Sequence, residues 1–160
     1  VEAVVMIVDG QTYSTVKIGN QIWTASNVSI VPTEFNSLVT DYWDDYGGSN
    51  GPGDATNEDG HYYTWNAAMN VCPTGWSLPS DTDWTTLGAQ LVSSRFNAKL
   101  AGYHSQGFIA GYQRGAHTFL WSSTTDGNKA FARNLVAGNS TVTRNAYTKT
   151  LGASVRCLKD

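Results

Sequence analysis

The chain has 160 residues, enough for one domain with a sizeable core and too few for two comfortable ones. Charged residues make up 14% and aromatics 12%, the opposite of the balance that keeps a chain disordered. The net charge of -3 gives no pull toward nucleic acid or an anionic membrane, and no apolar run approaches the roughly 20 residues of a membrane span.

Residues 3–28 read as a β meander. AVVMIV is a short apolar strand, Asp9-Gly10 a turn, and TYSTVKI places Tyr13, Val16 and Ile18 among polar residues. Gly19-Asn20 is a two-residue hairpin signal before QIW. The opening VEAVVMIV lacks the basic start and cleavage site of a signal peptide, and an upstream leader stays open.

Residues 41–60 have no period and read as an acidic, Gly-rich surface insertion carrying Asp41, Asp44, Asp45, Asp54, Glu58 and Asp59. Calcium is the cofactor such a cluster invites, because hard cations want several oxygen ligands. The spacing does not fit the EF-hand loop, so a solvated acidic loop with no cofactor is the expectation.

Two helices are expected next. The first covers YTWNAAMNV, residues 63–71. The second opens after Pro79 with Ser80 and Asp83 as a capping box, and lines Trp84, Leu87 and Leu91 along one apolar face. Gly88 inside that pattern costs about 1 kcal/mol relative to Ala, which suggests a close approach to another backbone. Trp76 and Trp84 are expected in the core. From residue 96 onward, loops alternate with short strands. Strands, then helices, then strands argue for an α+β fold.

Signs of catalysis are sparse. His61, His104 and His117 lack an accompanying nucleophile signature, and GGSNGPG lacks the Lys and the strand-to-helix context of a phosphate loop. The expectation is a non-enzyme with no catalytic residues. Cys72 and Cys157 fit no zinc motif and are either separate buried thiols or one long-range disulfide. Asn27 and Asn139 head N-x-[ST] sequons, a weak pointer to a surface protein.

CPTGWSLPSDTDWTTL (72–87) resembles the Fibrobacter succinogenes major paralogous domain, which is similar to the formylglycine-generating-enzyme branch of the C-type lectin fold. The likeness runs in order through DGQTYSTVKIGNQIWTASNV (9–28), HYYTWNAA (61–68), FNAKLAGYHSQGF (96–108), LWSST (120–124) and GASVRCLKD (152–160). It implies one C-type lectin-like domain over residues 1–160, with small twisted antiparallel sheets, two helices and chain ends that pair as neighbouring strands. Trp23, Trp65, Trp76, Pro79, Trp84, Trp121 and Val155 would be framework, and Cys72 and Cys157 would lie close enough for a disulfide in an oxidising compartment.

The resemblance also bears on GNSTVTRNAYTKTLGASVRC (138–157), which alternates like a strand yet carries mostly small polar side chains. In similar proteins, the segment before the terminal SVRC faces the ligand. Some are targets of diversity-generating retroelements, which rewrite adenine-rich codons there. Residues 115–157 would be the variable region. Phe131, Asn134, Ala137, Asn139, Thr143, Asn145, Ala146 and Tyr147 would be the ligand-binding set, in a frame of Trp121, Leu135, Val142, Gly152, Val155 and Arg156. The implied function is display of a protein- or glycan-binding surface on a cell, a virion or outside the cell, with no nucleic-acid partner, no membrane insertion and the oligomeric state open. The alternatives are a calcium-dependent lectin or adhesin module, against which the absence of EPN and WND triplets weighs; a formylglycine-type enzyme; and a purely structural module.

Overall fold

The structure is a computed structural model and describes residues 4–30, 42–43, 60–105 and 112–160. The acidic insertion, apart from Tyr42, Trp43 and Gly60, lies outside them, and so does the candidate calcium site.

The elements in chain order are β1 (Val5–Val8), β2 (Gln11–Ile18), β3 (Gln21–Thr24), β4 (Tyr42–Trp43), β5 (Tyr62–Tyr63), α1 (Trp65–Val71), β6 (Trp76–Ser77) and α2 (Asp81–Leu87). A short 3-10 turn (Gly88–Val92) follows, then β7 (His117–Asp126), β8 (Lys129–Val136), β9 (Thr143–Thr148) and β10 (Leu158–Lys159). A five-stranded sheet runs β1-β2-β3-β10-β6, β4 pairs β5, and a three-stranded sheet runs β7-β8-β9. All strand ladders are antiparallel, so the fold class is α+β. The C-terminal β10 lies between β3 and β6, which joins the end of the chain to its first meander.

The predicted meander is present, and the Gly19-Asn20 turn closes it with Ile18 opposite Gln21. Its apolar residues serve two cores because they differ in parity along β2. Tyr13 packs with Met6, Trp121 and Val155, whereas Val16 and Ile18 join Trp23, Trp84 and Phe96. The capping box is also present: Ser80 Oγ accepts from Asp83 N–H, and Asp83 Oδ2 accepts from Ser80 N–H. Trp84, Leu87 and Leu91 all fall in the second core, against Leu120 and Leu135 of the three-stranded sheet. Trp76 is half-buried at the border of the first core.

Three expectations need correction. The first helix begins at Trp65 instead of residue 63, because Tyr63 is a strand residue whose N–H and C=O both pair with Ala153. The C-terminal half holds strands of ten and eight residues instead of short ones. Thr118 to Ser122 are buried on both faces, so β7 shows no alternation to read. Gly88 does not admit another backbone: a Cβ there would meet nothing within 4 Å. It ends α2 at φ +55 and ψ -131, a positive-φ conformation open to glycine because it has no Cβ.

The close approach occurs at Gly60 instead. At φ +76, a Cβ on Gly60 would stand 2.7 Å from the carbonyl oxygen of Val28 and 2.8 Å from Cβ of Asn27. We expect Gly60→Ala to cost about 2–4 kcal/mol, since backbone must move, and Gly88→Ala about 1 kcal/mol. Urea unfolding of both variants checks this, and equal losses would refute it.

Candidate functional site

The candidate ligand region stands on a cross-linked base. Cys72 and Cys157 form a disulfide with Cα atoms 5.8 Å apart, and Cys157 is fully buried. Three indoles tie the helices and β5 to β7. Trp65 Nε1 donates to the carbonyl of Ser122 (2.9 Å), Trp84 Nε1 to that of Trp121 (3.2 Å), and Trp121 Nε1 to that of Tyr63 (2.8 Å). A buried tryptophan needs a partner for its N–H, and each of these finds a backbone carbonyl outside its own element, two on β7 and one on β5. Of the expected frame, Trp121, Leu135, Gly152, Val155 and Arg156 are buried and Val142 is half-buried.

Register across β7, β8 and β9 decides which candidate residues meet, because opposite residues of an antiparallel ladder share a face. Asn134 pairs with Thr143, Ala132 with Asn145 and Ala130 with Tyr147. Asn134, Thr143, Asn145 and Tyr147 therefore lie together on one face. Phe119 stands opposite Asn134 on the other flank. Tyr147 contacts the Phe119 ring edge-on at 4.9 Å, Phe119 contacts Tyr103 at 4.9 Å, and Tyr103 contacts Tyr112 at 5.7 Å. Ala130 and Ala132, both fully buried, are small enough for Phe119 and Tyr147 to meet over them. Burial, helped by Tyr112, raises the Tyr103 phenol above its usual value, and burial lowers His104, so both are neutral near pH 7. Asn134 Oδ1 is buried with no hydrogen-bond partner among the described residues.

Phe131 and Ala146 pair with each other on the opposite face. There, Arg133 and Arg144 stand directly across from one another, a repulsive placement unless an anion intervenes. Asp81, from the first turn of α2, supplies it. Its carboxylate accepts from Arg133 Nη1 at 2.6 Å and from Arg144 Nε at 2.9 Å, and its backbone carbonyl accepts from Arg133 Nη2 at 3.1 Å. Arg144 also lies over the Phe131 ring, 3.9 Å from its centre. Arg133 is nearly buried, so it is the partner that Asp81 cannot leave; Arg144 is half-exposed and contributes less.

The Arg144 hydrogen bonds, opposed by desolvation and aided by Arg133, hold the Asp81 carboxyl below its ordinary 3.8. A carboxyl with a lowered folded-state value stabilises the fold above its ordinary value and loses that contribution as pH falls through the folded one. The urea-midpoint gap between wild type and Asp81→Asn should therefore be widest near neutrality and shrink below about pH 4. A gap constant down to strongly acidic pH would refute this.

Ala137 and Asn139 sit apart from both faces, exposed in the β8–β9 connection, where Asn139 Oδ1 accepts from the Thr141 N–H. The other sequon asparagine, Asn27, is buried and accepts from Arg156 Nε at 2.9 Å, so it has no access to a glycan. Of the histidines, His61 packs beside Tyr63 with ring centres 6.0 Å apart. Among the described residues, no three His, Cys, Asp or Glu side chains are grouped to hold a metal.

A family model described as the Fibrobacter succinogenes major domain matches residues 16–95, half of the chain. The chain belongs to that family. No curated protein and no solved structure matches it. Within the matched segment of this Fibrobacter succinogenes major domain, the CPTGWSLPS stretch works as a junction. Cys72 bonds Cys157, Trp76 N–H closes a turn on the Pro73 carbonyl, the Pro79 carbonyl accepts from Ser123 N–H, and Ser80 caps α2. The candidate ligand residues, 131–147, lie beyond the matched segment.

Two features of the domain escaped the sequence. The Asp81–Arg133–Arg144 cluster joins residues up to 63 apart, and its one trace is a charged residue inside the apolar run of β8. The row Tyr112, Tyr103, Phe119 and Tyr147 draws on three separate segments and left no local signal.

Proposed function

We propose that this domain is a C-type lectin-like display module, a binding protein and not an enzyme, that presents the Asn134, Thr143, Asn145 and Tyr147 face to a protein or glycan ligand outside the cell or on a cell or virion surface. The observation that carries the reading is the co-location of these four residues on one sheet face beside an aromatic row, over a base joined by a disulfide and three indole hydrogen bonds. Tyr and Phe offer rigid contact area at low entropic cost, while Asn and Thr adapt their hydrogen bonding, the division of labour found in antibody loops. β9 is an edge strand with mostly exposed side chains, and exposed substitutions usually change stability within about 0.5 kcal/mol. Such a surface tolerates the codon rewriting of a diversity-generating retroelement, which is the finer reading we propose. The C-type lectin-like fold is supported by the pairing of β10 with β3 and by the two short helices beside small antiparallel sheets.

The test is to sequence the encoding locus across many isolates over codons 115–157. Adenine-position substitutions should gather at Asn134, Thr143, Asn145 and Tyr147, while Trp121, Gly152 and Cys157 stay constant. Codons that drift no faster there than over residues 9–28 would end the diversification reading. Tyr147→Ala and Asn134→Ala proteins that hold a ligand of the wild type unchanged would end the binding-face reading.

A further inference from the structure

The two edges of the three-stranded sheet differ. The β7 edge is closed by flanking segments: Gly102 N–H donates to the His117 carbonyl, and Ser154 exchanges backbone hydrogen bonds with Phe119 and Trp121. The β9 edge pairs with nothing among the described residues. Its ladder to β8 runs from Thr143 to Thr148 with no register shift, and none of these residues has a positive φ. Six residues of regular strand therefore direct alternate N–H and C=O groups away from the sheet, at the spacing another strand would meet. The usual guards of an edge are missing from it. β9 holds no proline, and Arg144, its one charged residue, is turned back over the sheet onto Asp81 and the Phe131 ring.

Charge selects the partner. The sheet carries Lys129, Arg133, Arg144 and Asp126 on one face, and Asp81 reaches that face from α2. One positive charge is left over there, in a chain whose net charge is -3. A two-fold antiparallel pairing of two copies through β9 preserves the faces, so both Arg144 side chains and both excess charges would share one surface. A foreign strand with a carboxylate facing Arg144 gains where a second copy loses.

We infer that β9 docks an extended, acidic segment of a protein ligand as a fourth strand of this sheet. Thr143, Asn145 and Tyr147 then meet the ligand from the other face of the same strand. The inference rests on the reading of their face as a ligand surface, and it narrows the ligand to a protein.

The experiment is a backbone-amide NMR titration of the whole domain with the capped peptide acetyl-VEVEVT-amide, whose glutamates fall on one face of a strand, and separately with acetyl-VKVKVT-amide. The glutamate peptide should shift the amides of residues 143–148 with a Kd on the order of 1 mM and slow hydrogen exchange at alternate ones. The lysine peptide should bind about fivefold more weakly, and Arg144→Gln, a change at a half-exposed side chain, should bring the two peptides within about twofold of each other. Three results would overturn the inference: no β9 shift with either peptide, equal binding of both to wild type, or β9 shifts that follow protein concentration alone, which would make the occupant a second copy. Protection by the glutamate peptide should persist in Tyr147→Ala, because backbone groups carry it, so the edge is tested whether or not the face itself binds anything.

Discussion

Arg156→Ala is expected to destabilise the domain by about 3–5 kcal/mol. Arg156 is fully buried, and burial draws its guanidinium down to about 10, so it is still charged at neutral pH. A buried cation survives only if its donors are satisfied, and this one is held by four neutral acceptors. Nε donates to Asn27 Oδ1 (2.9 Å), Nη1 to the carbonyls of Thr24 (3.2 Å) and Phe96 (2.8 Å), and Nη2 to the carbonyl of Asn97 (2.9 Å). Its planar group also lies over the Phe96 ring at 4.4 Å. The side chain thus joins the end of the meander, the segment after the 3-10 turn and the C-terminal stretch. Removing it takes a charged donor from four acceptors, three of them in buried hydrogen bonds. Arg156→Lys should recover little, because one ammonium cannot reach acceptors spread around a flat fork. Urea unfolding of both variants is the measurement. A loss below about 1 kcal/mol for the alanine variant would show that water replaces the guanidinium at little cost.

The second large effect is loss of the Cys72–Cys157 bridge. It links residues 85 apart, and the chain-entropy model assigns a loop of that length about 4.5 kcal/mol. For a domain of this size, such a loss lowers Tm by about 10–15 °C. A Cys72→Ala, Cys157→Ala protein should melt lower by that margin, and wild type treated with a strong reductant should approach the same value. Equal melting of oxidised wild type and the double variant would mean that Arg156 and the β3–β10–β6 pairing already hold the C-terminus without it.

Local periodicity and turn chemistry made much of the fold legible. The meander with its Gly19-Asn20 turn and the Ser80–Asp83 cap depend on neighbours in sequence, so their signals survive in one dimension. The same holds for the Trp84, Leu87 and Leu91 stripe. The terminal SVRC read as a motif through resemblance, while its physical content, a guanidinium buried among carbonyls, involves residues 59 to 132 positions away. β7 was unreadable in length because burial on both faces erases alternation. The two glycine roles were exchanged for a similar reason: Gly88 looked anomalous in a helical pattern, whereas the contact that demands a glycine is between Gly60 and the Asn27–Val28 segment that follows β3.

For the candidate site, sequence determined which residue types stand in 131–147, small and polar with a few aromatics. Tertiary structure alone decided which of them share a surface. Alternation along a strand places Asn134 apart from Phe131, but the register against β9 is what brings Thr143, Asn145 and Tyr147 to the first and Ala146 to the second. Register is set by the β8–β9 ladder and by Asp81 reaching across from a helix to neutralise two facing arginines. Interactions over such separations are chosen by packing and charge in three dimensions, and no local pattern encodes them.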